Sequence, residues 1–246
     1  IPAGQASELI KKIAGLSNIY FTNKMTHVSS LPGLEHTSNQ QTLYNVGLID
    51  DAISEKKQIS FVYNNYWEDK KLHPRREEPY IVNPYQMVAN DGKYYLVCNY
   101  DKYDTLSNYR VDKMTQVKII NKPAKKRDKV KGMEHGLNLP KHMAEHIYMF
   151  ADEPVTIILR VKKSAISDIV DWFGSNFDVV DESIARQYEG FRETTDAVTY
   201  VRLVCSRQAM SHWAMQYGTS VEVIYPTELR TQIGEAVKEM NNRYND

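Results

Sequence analysis

Arg110 is the side chain whose chemistry most needs an explanation. It lies between Tyr109 and Val111 in the run Tyr109-Arg110-Val111-Asp112-Lys113, which reads as a strand. Side chains alternate faces along a strand, so Tyr109 and Val111 point one way and Arg110 and Asp112 the other. A planar guanidinium suits bidentate phosphate binding and stacking on bases. It equally suits a structural ion pair with Asp112, and the residues by themselves leave both readings open. The aromatic rings within reach by sequence, Tyr63, Tyr95 and Tyr100, would offer stacking faces worth about 1–3 kcal/mol per base. A second basic group, His73, Arg75 and Arg76, is followed at once by Glu77 and Glu78, so a self-neutralised turn stands beside the ligand-binding reading. Lys125-Lys126-Arg127 is read as part of a solvated linker.

Other chemistry is not indicated. Cys98 and Cys205 are far apart, and no Cys/His spacing matches a zinc site. His142 and His146 are four apart on an expected helix without an evident third ligand, so a solvated helix face is the reading taken and no metal is assigned. There is no glycine-rich phosphate loop and no nucleophile elbow. The adjacent pairs Asp50/Asp51 and Glu77/Glu78 point apart and make no acid–base couple. The expectation is a non-enzyme with no cofactor.

The elements that must position these side chains follow from periodicity. Leu9, Ile10, Ile13 and Leu16 share one face of a helix over residues 5–17, and a mixed polar stretch follows to about residue 41. Leu43, Val46, Ile49 and Ile53 define a second helix. Then Ile59, Phe61 and Tyr63 alternate as a strand. Further strands are expected over 80–82, 85–88, 94–97, 109–111 and 117–120, with Asn90-Asp91-Gly92 as a tight turn. Short, closely spaced strands suggest a small barrel. A basic linker (KPAKKRDKVK, 122–131) precedes a helix over 140–149. From Pro154 the pattern is βαββαβ with a closing helix: strands over 155–161, 177–180, 184–188, 198–204 and 221–225, and helices over 165–173, 208–217 and from Pro226 to about Arg243. The segmentation expected is a helical arm and linker (1–41), a barrel (42–121), a basic linker and helix (122–149) and an α+β unit (150–246).

Composition sets the bounds. The 246 residues carry 31 basic and 31 acidic side chains, so the protein does not coat nucleic acid by bulk charge, although a local basic pocket is compatible. A hydrophobic share of 42% is that of a globular protein. No apolar run approaches the roughly 20 residues of a membrane span, and no signal peptide is visible. Both cysteines lie in apolar runs and read as reduced core thiols, which suits a cytoplasmic protein. The chain opens on Ile1 rather than Met, which suggests a segment upstream.

The stretch from His73 to Met114 resembles the WYL domain. The pieces are Asn83-Pro84-Tyr85, the Asn90-Asp91-Gly92 turn, Tyr94-Tyr95-Leu96 and Tyr109-Arg110-Val111-Asp112-Lys113. Tyr94 stands in place of the name-giving tryptophan, and Lys113 where many members have a second arginine. Trp213-Ala214-Met215-Gln216-Tyr217-Gly218, Val221-Glu222-Val223-Ile224 and Pro226-x-x-Leu229-Arg230 are similar to the closing pattern of the extension that follows this domain. The first helix is similar to the arm that joins it to an N-terminal winged helix-turn-helix. The resemblance implies an α+β protein: a helical arm, a small Sm/SH3-like β-barrel and a ferredoxin-like extension. It implies the ligand-sensing, dimerising part of a bacterial transcription regulator whose DNA-binding head lies outside this sequence. The expected ligand is a nucleotide or single-stranded oligonucleotide, held by Arg110, Tyr95, His73, Arg75, Arg76, Tyr63, Tyr100 and Lys113. A purely structural dimerisation module, and a stand-alone nucleic-acid-binding accessory protein of a defence system, are the competing expectations.

Overall fold

A computed structural model describes residues 39, 41–90, 92–134, 136–193 and 195–245. The expected first helix and the arm lie outside these residues. The chain divides into two compact units, residues 1–135 and 136–246.

The first described helix, α1 (Thr42–Ser54), buries Thr42, Asn45, Ile49 and Ala52. That face is rotated from the apolar stripe expected in the sequence, and Leu43 is exposed. The reason is polar: Asn45 turns inward, and its amide donates to the Met114 carbonyl at 3.0 Å. A buried side-chain amide must find an acceptor, and the second lone pair of that carbonyl, whose first goes to Asn39 Nδ2 at 2.8 Å, supplies it. The helix leads into β1 (Lys57–Tyr66), β2 (Leu72–Pro74), β3 (Tyr80–Asn90), β4 (Lys93–Asn99), β5 (Leu106–Arg110) and β6 (Met114–Pro123). All pairings are antiparallel; β1 pairs with β2, β3 and β6, and β4 bridges β3 and β5. The sheet curls around one core in which Ile49, Phe61, Val82, Leu96, Cys98 and Met114 meet.

The two strands expected over 80–82 and 85–88 are one. The register passes from Pro84↔Cys98 to Gln86↔Val97, so Tyr85 is the extra residue of a bulge that keeps the strand continuous while bending it. Strand β5 stops at Arg110, and Val111–Lys113 form a 3-10 turn instead of continuing the strand to Val111. The segment read as a solvated basic linker is fastened to this unit. The Lys125 amide donates to Asn83 Oδ1 at 2.9 Å, the Tyr85 hydroxyl to the Lys125 carbonyl at 2.9 Å, and Arg127 Nη2 to the Tyr85 carbonyl at 2.7 Å. Asn83 is fully buried, and buried amides recruit partners from whatever backbone passes.

The second unit opens with α2 (Leu139–Glu145), capped by Asn138, and a 3-10 turn over Ile147–Met149, where one longer helix was expected. There follow β7 (Pro154–Lys162), α3 (Ile166–Phe173), β8 (Phe177–Val180), α4 (Glu182–Ala185), β9 (Val198–Ser206), α5 (Arg207–Gln216), β10 (Val221–Tyr225) and α6 (Thr227–Asn245). The sheet order is β10-β7-β9-β8, antiparallel throughout. Ile157, Leu159, Val201, Leu203 and Cys205 on one face pack against Ile169, Phe173, Met210, Trp213 and Leu229. Ile158, Tyr200 and Ile224 on the other meet Val180 and Ala185.

The strand expected over 184–188 is not formed. Asp181 Oδ1 accepts from the Ser183 amide at 2.8 Å and starts α4 in its place. An acidic cap outweighed weak alternation, and the short helix ends at Ala185 before Tyr188. Cys98 and Cys205 are buried free thiols, and burial pushes both thiol pKa values up, Cys205 to about 12. No helix among the described residues is long and apolar enough to cross a membrane.

Candidate functional site

The junction of β5, the 3-10 turn and β1 assembles a cationic cluster around one carboxylate. Arg110 Nε donates to Asp112 Oδ1 at 3.1 Å and Nη2 to Oδ2 at 2.7 Å, a two-point fork. The Asp112 side chain is 6% exposed and that of Arg110 25%, so the pair is the inner wall of the cluster. Burial works against the charge on Arg110, but the hydrogen bonds and charge of Asp112 outweigh it and raise its pKa. The 3-10 turn brings Asp112 to Arg110 where strand alternation was expected to do so. Two buried amides clamp the backbone there: Asn39 Nδ2 donates to the carbonyls of Asp112 and Met114, and Asn64 Nδ2 to that of Lys113 at 2.9 Å. Neither asparagine was singled out in the sequence; only their partners, 49 to 75 residues further on, reveal their use.

Five of the eight expected site residues belong to this cluster. Tyr95 is the cross-strand partner of Arg110. The Tyr63 hydroxyl accepts from the Arg110 amide at 3.4 Å, and the Tyr63 carbonyl accepts from the Arg75 amide at 2.8 Å. Burial raises the Tyr63 phenol, while Arg110 and Arg75 act to lower it. Lys113 is held below the ordinary lysine value, first by burial and then by the positive charge of Arg110, with Arg75 adding to the effect. Arg110, Lys113 and Arg75 therefore share one field with a single carboxylate already engaged. That surplus of positive charge is what an anion would relieve.

The other three sit apart from Asp112. Tyr100 donates to, or accepts from, the Tyr109 hydroxyl at 2.7 Å and joins a ring cluster with Phe61, Tyr63, Tyr80 and Tyr109, whose closest pair, Tyr63 and Tyr109, is 4.8 Å between centroids. These rings pack on each other, mostly edge to face, so Tyr63 and Tyr100 are largely engaged by the core. Arg76 lies over the Tyr80 ring at 3.6 Å and donates to the carbonyls of Glu78 and Pro79. His73 meets Asp69 at 2.8 Å and stacks on Trp67 at 4.4 Å. Trp67 is 62% exposed at the β1–β2 hairpin, an aromatic that the reading of the sequence passed over. In the second unit, His142 is buried and stacked on His146 at 4.3 Å, and burial with the neighbouring imidazole lowers its pKa to about 4.

Two family models match the chain. One, the WYL domain, covers residues 45–119, and the other, the WCX domain, covers residues 153–240. Comparison with curated proteins at the level of sequence found no match. Among solved structures, the chain is similar to the proteasome accessory factor B/C (PafBC) of Arthrobacter aurescens, with 14% identity, a TM-score of 0.37 and 87% of this chain covered. It is also similar to a CRISPR Cas-related protein, with 14% identity, a TM-score of 0.45 and 83% of this chain covered. This chain spans 29% of the length of the first and 53% of the second.

Proposed function

Because this chain belongs to the WYL-domain family and carries a WCX domain after its WYL domain, we propose that it is the ligand-sensing and dimerising part of a bacterial transcription regulator. The first unit is taken as the small Sm/SH3-like barrel. The second is taken as a ferredoxin-like extension, a reading supported by its β10-β7-β9-β8 order with helical crossovers. The ligand is a nucleotide or a single-stranded oligonucleotide, and the role is binding without catalysis. The observation that carries this reading is the two-point fork of Arg110 on Asp112 with Lys113 in the field of both, and with Arg75 held by the Tyr63 carbonyl and acting on Lys113 in turn. Two of the five guanidinium N–H donors of Arg110 go to Asp112; the rest are available to phosphate oxygens. Asp112 thereby orients the fork, as a carboxylate behind a binding arginine does.

Ligand binding would signal by preferring one arrangement of a homodimer over another, and a DNA-binding head outside this sequence would read the difference. Tight binding with no such preference shifts nothing. A second reading, a purely structural Arg110–Asp112 pair, has the fork geometry in its favour. Arg110→Ala by itself strands the buried Asp112, so loss of binding through unfolding would be uninformative. The decisive variants are Lys113→Ala and Arg75→Ala, which leave the pair closed. In fluorescence anisotropy with short labelled single-stranded DNA and RNA, wild type should bind and both variants should weaken binding about tenfold or more, while circular dichroism stays unchanged. Unchanged affinity in both variants would contradict this site.

A further inference from the structure

The second unit holds another carboxylate surrounded by cations, and there the cations are not closed down upon it. Glu222 on β10 faces Arg160, its cross-strand neighbour on β7, with Nη1 at 3.9 Å from Oε2. Arg192 Nη2 is 3.5 Å from Oε1, and Arg230 Nη2, from α6, is 2.8 Å from the same oxygen. Among the described residues only Arg230 makes a hydrogen bond to the carboxylate, and its Nη1 is used on the Val223 carbonyl at 2.7 Å. The other two guanidinium groups stand at the outer limit of ion pairing. Arg160 Nε is buried without an acceptor among the described residues. An unmet buried donor on a charged group is costly, and proteins keep one where something else supplies the acceptor.

The backbone around the cluster is built to hold it. Tyr200, 1% exposed, accepts from the Arg192 amide at 3.2 Å and donates to the Arg192 carbonyl at 2.5 Å, so the root of an exposed arginine is fixed from the core. Gly190 passes so close that a Cβ there would meet the Arg230 guanidinium at 3.1 Å. Beside it runs a groove of about 720 Å³ in which Arg230, Glu222, Gly190 and Thr227 line one part and Met215, Ile233, Val237 and Met240 give an apolar wall.

We propose that the Arg160/Arg192/Arg230 cluster about Glu222 is a binding site for the phosphate of a small phosphomonoester whose apolar body lies in the adjoining groove. Three guanidinium groups against one carboxylate leave two positive charges in excess. A phosphomonoester carries about −1.5 to −2 at neutral pH, whereas a carboxylate or phosphodiester carries only one negative charge. Guanidinium forks match phosphate oxygens in pairs. Glu189, which also lines the groove, works against a ligand with many phosphates and so against a nucleic-acid strand here. The site is independent of the barrel reading above, since its residues all lie in the second unit.

The test is isothermal titration calorimetry of the whole chain at fixed ionic strength, with inorganic phosphate, phenyl phosphate, dimethyl phosphate and acetate as probes. Inorganic phosphate should bind saturably and phenyl phosphate more tightly, with dimethyl phosphate and acetate at least about tenfold weaker. Arg192→Gln removes an exposed side chain that makes a loose ion pair and should weaken phosphate about tenfold without altering the fold. The combined Arg75→Ala, Lys113→Ala variant should bind phosphate as wild type does, which separates this site from the barrel. No saturable phosphate binding, or equal binding by Arg192→Gln, would overturn the proposal. Equal affinity for dimethyl phosphate would overturn the monoester assignment.

Discussion

Asp112 in the first unit and Glu222 in the second are both single carboxylates among several cations, yet they are built differently. Asp112 is almost wholly buried and is gripped at two points by Arg110, while Asn39 holds its carbonyl and Asn64 that of Lys113. Glu222 is about a quarter exposed and has one short and two long ion pairs from arginines on three different segments. The difference teaches that positive surplus can arise in two ways. In the first unit, the carboxylate is consumed by one arginine, and the surplus sits on its neighbours Lys113 and Arg75. In the second unit, the carboxylate is shared, and the surplus sits on the arginines themselves. The first arrangement makes the acid structural and leaves the outer cations unneutralised by it. The second makes the acid a spacer.

The largest effect that would break this contrast comes from the acids. Asp112→Ala should cost about 3 kcal/mol, because it leaves Arg110 without its buried partner. Glu222→Ala should cost no more than about 1 kcal/mol, since its pairs are partly solvated. Urea denaturation of the two variants checks this, and equal losses would erase the distinction. Next in size is Asn83→Ala, expected to cost about 2 kcal/mol in the first unit. It removes a fully buried amide whose oxygen accepts from Gln58 and the Lys125 amide and whose nitrogen donates to Asp101. Hydrogen exchange should show the 124–131 segment released in this variant and protected in wild type.

Smaller, and confined to the second unit, is an acid sensitivity. His142 is held neutral in the fold with a pKa near 4, below its ordinary value of about 6.5. The unfolded chain therefore binds more protons between those values, and stability falls as pH drops through that window. His142→Phe should flatten this part of the pH–stability curve of the second unit; an unchanged slope would show that another group titrates. Smallest is an alkaline effect on the first unit. Lys113 sits below the ordinary lysine value of about 10.4, so its charge is lost early as pH rises. Oligonucleotide affinity should decline before the exposed lysines titrate, and Lys113→Arg should shift that decline upward.

How far these sites were legible in the sequence depended on the reach of the contacts. The alternation of Ile59, Phe61 and Tyr63 marked β1, and the Asn90-Asp91-Gly92 turn marked the hairpin in which Asn90 pairs with Lys93, because both signals are local. The Arg110–Asp112 pair was visible as a possibility from two residues of spacing, although a 3-10 turn, not strand alternation, delivers it. Strand β2, three residues long, has no room for a period. The rings of Tyr63 and Tyr100 looked free for a ligand because Tyr80 and Tyr109, which occupy them, come from other strands. Likewise, the cations over 125–127 looked solvated until Asn83 and Tyr85 were seen to bind their backbone and side chains. The Glu222 cluster draws on β7, β10, α6 and the loop at Arg192, and nothing along the chain brings those four together.

The central claim is that the cations around Asp112 hold the phosphates of the ligand, and the most direct test of its single-strand form is the salt dependence of oligonucleotide binding. The logarithm of the affinity of wild type for short single-stranded DNA should fall linearly with the logarithm of salt concentration. Lys113→Ala and Arg75→Ala should each make that slope shallower by about 0.7, the change expected when one phosphate contact to a single strand is lost. A slope identical in wild type and both variants, or no binding by wild type to DNA or RNA strands, would contradict the account.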